Sequence, residues 1–456
     1  MKRWTGVILA AGKGTRMRSK LPKVLHQICG KPMLAHVAGA LREAGIGWPV
    51  VVVGYQAEAV QAALGKSASY VLQREQLGTG HAVLQARKAV EGMAGQVLVA
   101  NGDVPLVRPA SLRALMKAHL EAKAAVSLLT LSGEHPELGR IARDEQGLVQ
   151  GVVERGDLGE EQRGIREYNA GLYCFDGAWL WPALQEVRPS KSGEIYLTSL
   201  VALAYKSGRT VVAFPIADAT EGLGVDSRSR LAEAEGVLRA RIRARWMEAG
   251  VTLIDPASTF IDAEVRIGQD TVIEPNVSIK GRSVIGEECL IGRGTMLSNA
   301  KIGDRSKVYA SLIEDSRLEA DVDVGPWSHL RNGAHVESQV HIGNYVEIKK
   351  SRIGTGSKAG HVSYIGDATL GADVNVGAGT ITANFDGKRK HKTRIDAHVH
   401  LGSDTTLVAP VHVGTGAYTG AGSVVIRDVP AGATVVGVPA RPLTKSANAA
   451  PRKQRR

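Results

Sequence analysis

Two hydrophobic periods divide the chain. Up to about residue 227, continuous apolar runs end in turn residues. Gly6-Val7-Ile8-Leu9-Ala10-Ala11 runs into Gly12, Val50-Val51-Val52-Val53 into Gly54, and Val97-Leu98-Val99-Ala100 into Asn101-Gly102-Asp103. Such runs predict strands buried on both faces. Helical candidates such as His81 to Glu91 lie between them. Strand alternating with helix predicts an α/β domain over residues 1–227, with a mostly parallel, doubly covered sheet. Ligands bind such sheets beyond the C-terminal strand ends, so the Gly12 loop and Asp103 are expected to share one cleft. Over residues 228–250 the pattern changes. Leu231, Ala234, Leu238, Ile242 and Trp246 recur at steps of three or four. That spacing predicts one long connector helix, with Gly250 as its stop.

From Val251 an aliphatic residue followed by glycine recurs, as in Ile267-Gly268, Ile285-Gly286, Ile291-Gly292, Ile353-Gly354 and Ile365-Gly366. Steps of six and its multiples predict a parallel β-helix, here residues 251–437, with about three hexads per coil. Each aliphatic points inward and stacks on its equivalent one coil away. Gaps of 11 or 25 residues break the period and are read as insertions. The longest, between Val376 and Leu401, holds Thr382-Ala383-Asn384-Phe385-Asp386-Gly387 and a basic run. Loops thrown out from a regular scaffold are where function concentrates. Residues 438–456 form a basic tail that is expected to be poorly ordered.

Composition narrows the class. At 456 residues, 44% hydrophobic and 22% charged, the chain reads as an ordinary globular protein of two or three domains. No apolar run approaches the roughly 20 residues of a membrane span. Met1-Lys2-Arg3-Trp4 leads into the first strand without a cleavable-signal pattern. Cys29, Cys174 and Cys289 are far apart and odd in number, which fits a reducing cytoplasm and neither a disulfide framework nor a zinc site. The net charge of +12 gathers at residues 239–245, 388–394 and 452–456. No nucleic-acid motif accompanies these clusters, so they read as solvated charge and as sites for anionic metabolites.

The stretch L-A-A-G-K-G-T-R-M-R-S-K-L-P-K, from Leu9 to Lys23, carries the first chemistry. Glycines let backbone N–H groups approach an anion, and Lys13, Arg16 and Lys23 add positive charge. The spacing of the common phosphate loop is absent. On the residues alone, Asp103 is either a metal-holding carboxylate or a turn residue. Gln73 and Asn169 read as polar loop residues.

Together with L-P-K-V-L, Q-L-G-T-G-H-A, G-D-V-P-L, G-N-Y-V-E-I-K-K, G-S-K-A-G-H, N-V-G-A-G-T and L-G-S-D-T, the loop resembles one family over nearly the whole chain. This is the bacterial bifunctional N-acetylglucosamine-1-phosphate uridylyltransferase / glucosamine-1-phosphate N-acetyltransferase family. The resemblance implies a Rossmann-like first domain, a left-handed β-helix and a cytoplasmic homotrimer. It implies acetyl transfer from acetyl-CoA to glucosamine-1-phosphate, then uridylyl transfer from UTP to N-acetylglucosamine-1-phosphate with Mg²⁺. The product would feed peptidoglycan and lipopolysaccharide precursors.

For uridylyl transfer the resemblance points to Arg16 and Lys23 as catalytic cations, and to Leu9, Ala10, Ala11, Gly12 and Lys23 as contacts to UTP or the UDP-sugar. Gln73, Gly78 and Thr79 match uracil contacts; Gly139, Glu154 and Asn169 match sugar positions. Asn101, Gly102, Asp103 and Asp226 complete the set, with Asp103 and Asp226 on the metal. For acetyl transfer His361 matches the general base, since an amino sugar must lose a proton before attack. Arg331 and Lys349 match the sugar-phosphate clamp, and Tyr364, Asn375, Asn384 and Phe385 the sugar pocket. Lys390 is expected to meet phosphates across a subunit boundary. Ala378, whose amide would hold the oxyanion, and Ser403, Ala421 and Arg441 match coenzyme A contacts.

Four departures from the family stand out, one being Asn101, where tyrosine can occur. Asp226 in Gly224-Val225-Asp226 stands for asparagine, and Phe385 stands for tyrosine. The C-terminal coenzyme A arginine has no clear counterpart, Arg441 being nearby. Two other readings stand beside this one. The first is a single-activity nucleotidyltransferase on a structural β-helix, which would not need His361, Tyr364, Asn375 and Asn384. The second is a non-catalytic assembly protein, which would not need Arg16, Lys23 and Asp103.

Overall fold

The computed structural model describes residues 4–90, 95–190 and 193–443. The chain forms two compact units, Met1–Leu238 and Arg239–Arg456. Their boundary falls inside the long helix rather than ahead of it.

In the first unit the elements are β1 (Trp4–Ala10), α1 (Met33–Glu43), β2 (Val50–Val53), α2 (Ala57–Leu64), β3 (Ser69–Leu72) and α3 (Thr79–Gln85). β4 (Gln96–Asn101), α4 (Pro109–Glu121), β5 (Val126–Ser132), β6 (Arg140–Arg143) and β7 (Val149–Val153) follow. β8 (Glu167–Asp176), α5 (Gly177–Glu186), α6 (Ser199–Lys206) and β9 (Val211–Pro215) complete the sheet and its cover. The strand order is β9-β5-β8-β4-β1-β2-β3. All neighbours are parallel except β8, which runs antiparallel to both β4 and β5. Alternate residues of β1 enter opposite cores. Ile8 packs with Leu34, Leu41 and Leu112, and Val7 with Val83, Leu180 and Leu200. The sheet is thus apolar on both faces, which is why its strands read as unbroken apolar runs. The stretch from His81 to Glu91, expected as one helix, is α3 plus a short helix at Arg87–Val90, and Glu91 lies outside the described residues.

The long helix, α7, spans Arg228–Glu248. Ala234 and Ile242 are buried, while Leu231, Leu238 and Trp246 are half-buried. It ends where predicted. Gly250 takes φ +89°, its N–H reaches Met247 O at 3.1 Å, and Val251 N reaches Trp246 O at 3.0 Å. A left-handed residue that closes the last carbonyls is what glycine supplies at low cost.

The second unit is a β-helix. Its inward aliphatics form three columns of parallel pairs. One runs Ile267, Ile285, Ile302, Leu318, Val336, Ile353, Leu370, Ile395 and Val413. All are buried; burying each such side chain contributes about 1.5–3 kcal/mol. The reading of the 11-residue gaps as insertions needs correcting. Ile302, which closes one such gap, pairs with Ile285, and Ile353, which closes another, pairs with Val336. A gap of 11 therefore marks a coil short by one residue, the corner tightening while the inward column holds register. Among the described residues only the stretch from Val376 to Leu401 inserts a long loop. The expected tail also begins later than predicted. Arg441–Pro442 pair antiparallel with Thr434–Val436, and Leu443 N reaches Thr434 O at 2.8 Å. Residues 444–456, where the rest of the tail falls, lie outside the described residues.

Candidate active sites

The C-terminal ends of β1 and β4 open into two adjoining pockets of about 310 and 280 Å³. Lys23, Thr79, Asn101 and Asp103 line both. Leu9, Ala10, Ala11, Gly12, Gln73 and Gly78 belong to the first pocket alone. Arg16, Gly139, Glu154, Asn169 and Asp226 belong to the second alone. The Gly12 loop and Asp103 therefore share a cleft. Gly102 lies behind it, its N–H on Leu9 O at 2.9 Å. Lys13, counted with the loop's charge, turns instead to the face of Tyr55, 5.6 Å from the ring centre.

The charges alternate. The Lys23 ammonium pairs with the Asp103 carboxylate. Arg16 meets Asp226 at 2.5 Å, and Val225 N donates to Asp103 O at 2.9 Å, which ties the 224–226 strip to the end of β4. Phosphate oxygens and a divalent cation would each find opposite charge here. The donor set fits a hard cation, since two carboxylates supply anionic oxygen and substrate phosphates and water complete the shell. No cluster of three or more His, Cys, Asp or Glu side chains capable of holding a metal occurs among the described residues.

Gln73 and Gly78 meet in the first pocket. Buried Gln73 donates through Nε2 to Gly78 O at 3.2 Å, and Nε2 lies 3.0 Å from His81 Nδ1, which fixes the amide. Gly78 takes φ +108°, and a Cβ there would lie 2.5 Å from Ile195 O. Only glycine fits that approach. In the second pocket Asn169 donates to the Tyr173 hydroxyl at 2.7 Å and accepts from Gly171 N at 3.0 Å. Glu154 accepts from Thr198 at 2.7 Å. Burial raises the Glu154 carboxyl above its usual range, and burial likewise raises the Tyr173 phenol. Gln76, Glu194, Tyr173, Tyr196 and Thr198 line the pockets as well, and no local pattern marks them in the sequence.

In the second unit the strands His341–Lys349 and Lys358–Gly366 run side by side, placing Asn344 opposite His361. His361 Nδ1 lies 3.0 Å from Asn344 Oδ1. With the amide oxygen accepting, Nδ1 carries the proton and Nε2 keeps its lone pair. The register continues through Val376 opposite Ala359, Leu401 opposite Val376 and Thr419 opposite Leu401. Two residues beyond each lie His361, Ala378, Ser403 and Ala421, so the four form one ridge along the axis, roughly 4.8 Å apart. Val362, next to His361, takes φ +25° and is 57% exposed. A β-branched residue there is strained, as at sites that hold a fixed geometry.

The inserted loop is a built element. Asp386 accepts from Lys388 N at 2.8 Å and Arg389 N at 2.7 Å, and faces His391 Nε2 at 2.7 Å. These bonds hold its carboxyl down at about 2. The loop carries Lys390 up to its own chain's Lys349, whose ammonium lowers the Lys390 ammonium below its usual value. Within its own chain Lys390 thus lies beside Lys349. Two adjacent cations would suit a dianion. Asp367, 3.9 Å from Lys349 Nζ, accepts from Asn384 at 2.6 Å. Arg331 is held on Glu347 by bonds of 2.8 and 2.5 Å, and Tyr364 covers Gly366. Asn375 sits one coil from Lys358 and His400, half-buried. Phe385 is exposed and bridged to Lys390. Arg441 is exposed, opposite Val436.

A glycine-rich loop with alternating lysine, arginine and carboxylates at the strand ends, joined to a hexad β-helix, defines a nucleotidyltransferase fused to a β-helix domain. The family model described as a MobA-like NTP transferase domain matches residues 6–202, and that described as a GMPPB C-terminal domain matches residues 256–340. The bifunctional protein GlmU of Heliobacterium modesticaldum is 50% identical over 438 residues, covering 96% of both chains. Those of Pelobacter propionicus and Geobacillus sp. strain WCH70 are 47% and 46% identical over 441 and 426 residues, covering 96% and 93% of both chains. The chain belongs to the bifunctional GlmU family. Its activities are uridylyl transfer and glucosamine-1-phosphate acetyl transfer, which together make UDP-N-acetylglucosamine. No described helix is long and apolar enough to cross a membrane.

Proposed function

We propose that the cleft of the first unit carries uridylyl transfer and the ridge of the second carries acetyl transfer. The observation that carries the pairing is His361 on one line with Ala378, Ser403 and Ala421. A purely structural β-helix has no use for that line. The GMPPB-type match ends at 340, ahead of all four residues.

In the ridge, the amino group of glucosamine-1-phosphate attacks the thioester carbonyl of acetyl-CoA. Nε2 of His361 takes the proton as the C–N bond forms. The Ala378 N–H stabilises the oxyanion, the C–S bond breaks, and coenzyme A leaves as its thiolate. Lys349, Lys390 and Arg331 hold the sugar phosphate, while Tyr364, Asn375 and Asn384 flank the ring. Ser403, Ala421 and Arg441 hold coenzyme A. In the cleft, a phosphate oxygen of N-acetylglucosamine-1-phosphate attacks the α-phosphorus of UTP and pyrophosphate leaves. That oxygen is already ionised, so the cleft needs no base; holding two anions in line is the task. Gln73 reads the uracil edge; Glu154 and Asn169 hold the sugar. Arg16 and Lys23 spread the transferred charge. Mg²⁺ fits Asp103 and Asp226, and when bound it neutralises phosphate charge. A homotrimer is supported by Trp327, Tyr345 and Val362, which stand exposed beside the ridge. Cys29, Cys174 and Cys289, buried and in no disulfide, suit a reducing cytoplasm.

Asp386→Asn should loosen the inserted loop. The expected result is a severalfold rise in KM for glucosamine-1-phosphate, read in an acetyl-transfer assay, with no change in uridylyl transfer. A depressed carboxyl pKa adds stability that is complete above the usual 3.8 and is lost as pH falls through about 2. The loop is accordingly intact at neutral pH.

Chelation separates the two halves. EDTA should abolish uridylyl transfer and leave acetyl transfer unchanged in one preparation, each assayed with its own substrates. Loss of both, or of neither, would contradict the assignment.

A further inference from the structure

Three side chains near the start of α7 reach back to segments that flank or line the nucleotidyl cleft. Arg228 Nε donates to Met17 O at 3.3 Å, and Arg228 Nη1 lies 3.3 Å from His26 Nδ1. Arg230 binds Glu137 Oε1 at 2.5 Å, and Glu137 lines the second pocket two residues before Gly139. Glu235 accepts from Cys29 N at 2.8 Å, where Cys29 takes φ +44°. Ser227 O and Oγ receive Leu231 N at 2.9 Å and Arg230 N at 3.3 Å, so Ser227 alone separates Asp226 from the helix.

We infer that this leading segment of α7 is the positioning device of the uridylyl site, with Arg228 setting the phosphate loop and Arg230 setting the sugar-side wall through Glu137. Arg16, one residue before Met17, is held from both sides: by Arg228 through the Met17 carbonyl and by Asp226 through its guanidinium. Lys23 lies in the segment between Met17 and Cys29, both tied to α7. The His26 contact is a poor one for stability alone. Arg228 forces Nδ1 to accept, so Nε2 carries the hydrogen, and that atom is buried without a partner. A buried unsatisfied donor destabilises the fold. Burial, then Arg228, lower the His26 pKa, which keeps the ring neutral beside the arginine. Local frustration of this kind belongs to sites held for function.

The inference rests on the uridylyl reading of the cleft, and the acetyl activity of the same chain serves as the folding control. Arg228→Gln, Arg228→Lys and Glu137→Gln are compared with wild type in both assays, using full-length protein. Arg228→Gln should lower uridylyl kcat about tenfold or more, because small misplacements of charge at a transfer site cost up to about a hundredfold. Arg228→Lys should restore part of that rate. Glu137→Gln should raise KM for N-acetylglucosamine-1-phosphate severalfold with kcat nearly constant. Acetyl transfer should not change in any of the three. Uridylyl rates within twofold of wild type for Arg228→Gln would overturn the inference. So would a parallel fall of both activities, the mark of a merely structural arginine. Failure of the underlying reading shows differently: wild type itself would lack uridylyl transfer.

Discussion

His361→Ala is expected to lower acetyl transfer about 10²–10⁴-fold, the usual contribution of a positioned base, and to leave uridylyl transfer at the wild-type rate. His361 is exposed and its ring contacts Asn344 on the neighbouring coil. The inward columns that hold the prism together do not include it, so the truncation opens no cavity. On the proposed mechanism, what is lost is the nitrogen lone pair that receives the amine proton. A pH profile separates this from lost binding. The remaining rate should rise steeply with pH, because only sugar already free of its proton can attack. Coupled assays of coenzyme A release and pyrophosphate release read the two activities in one sample.

The second large effect is the mirror image. Asp103→Asn should cost uridylyl transfer about a hundredfold or more, the scale of losing one preorganised charge contact at the reacting group, while acetyl transfer continues. Asparagine keeps the shape at the end of β4 but removes the anion. Lys23 then loses its partner, and the proposed cation site loses one of its two carboxylates. The residual rate should need a higher Mg²⁺ concentration for saturation, which a titration of rate against metal measures. A fall in rate with unchanged metal dependence would assign Asp103 to holding Lys23 alone.

Much of this is legible in the chain because the responsible forces are periodic or local. Ile267, Ile285 and their successors mark the β-helix because each coil must present an aliphatic at the same height. The Gly12 loop and Asp103 are expected to share a cleft because both sit at the same end of parallel strands. The ridge from His361 to Ala421 is harder to read. Its members are 17, 25 and 18 residues apart, and only the register of the coils shows that the 25-residue step is one coil plus a loop. The antiparallel course of β8 carries no signal in an apolar run, since buried strands look alike in either direction. Lys390 illustrates a different limit. Where a cation on an inserted loop comes to rest depends on Asp386 and its three donors, and nothing in the charge run announces that bracing. Arg228, Arg230 and Glu235 read in the sequence as the charged faces of an amphipathic helix. Long charged side chains serve equally well to reach a neighbour, and composition does not tell the two apart.

The central claim is that one polypeptide holds two chemically separate transfer sites. The most direct measurement mixes purified protein with glucosamine-1-phosphate, acetyl-CoA, UTP and Mg²⁺, and follows nucleotide sugars by chromatography and mass. UDP-N-acetylglucosamine should form with all four present, stop when acetyl-CoA is withheld, and resume on adding N-acetylglucosamine-1-phosphate in its place. Nucleotide sugar that forms at the same rate without acetyl-CoA, or an addition of N-acetylglucosamine-1-phosphate that fails to restore it, would contradict the account.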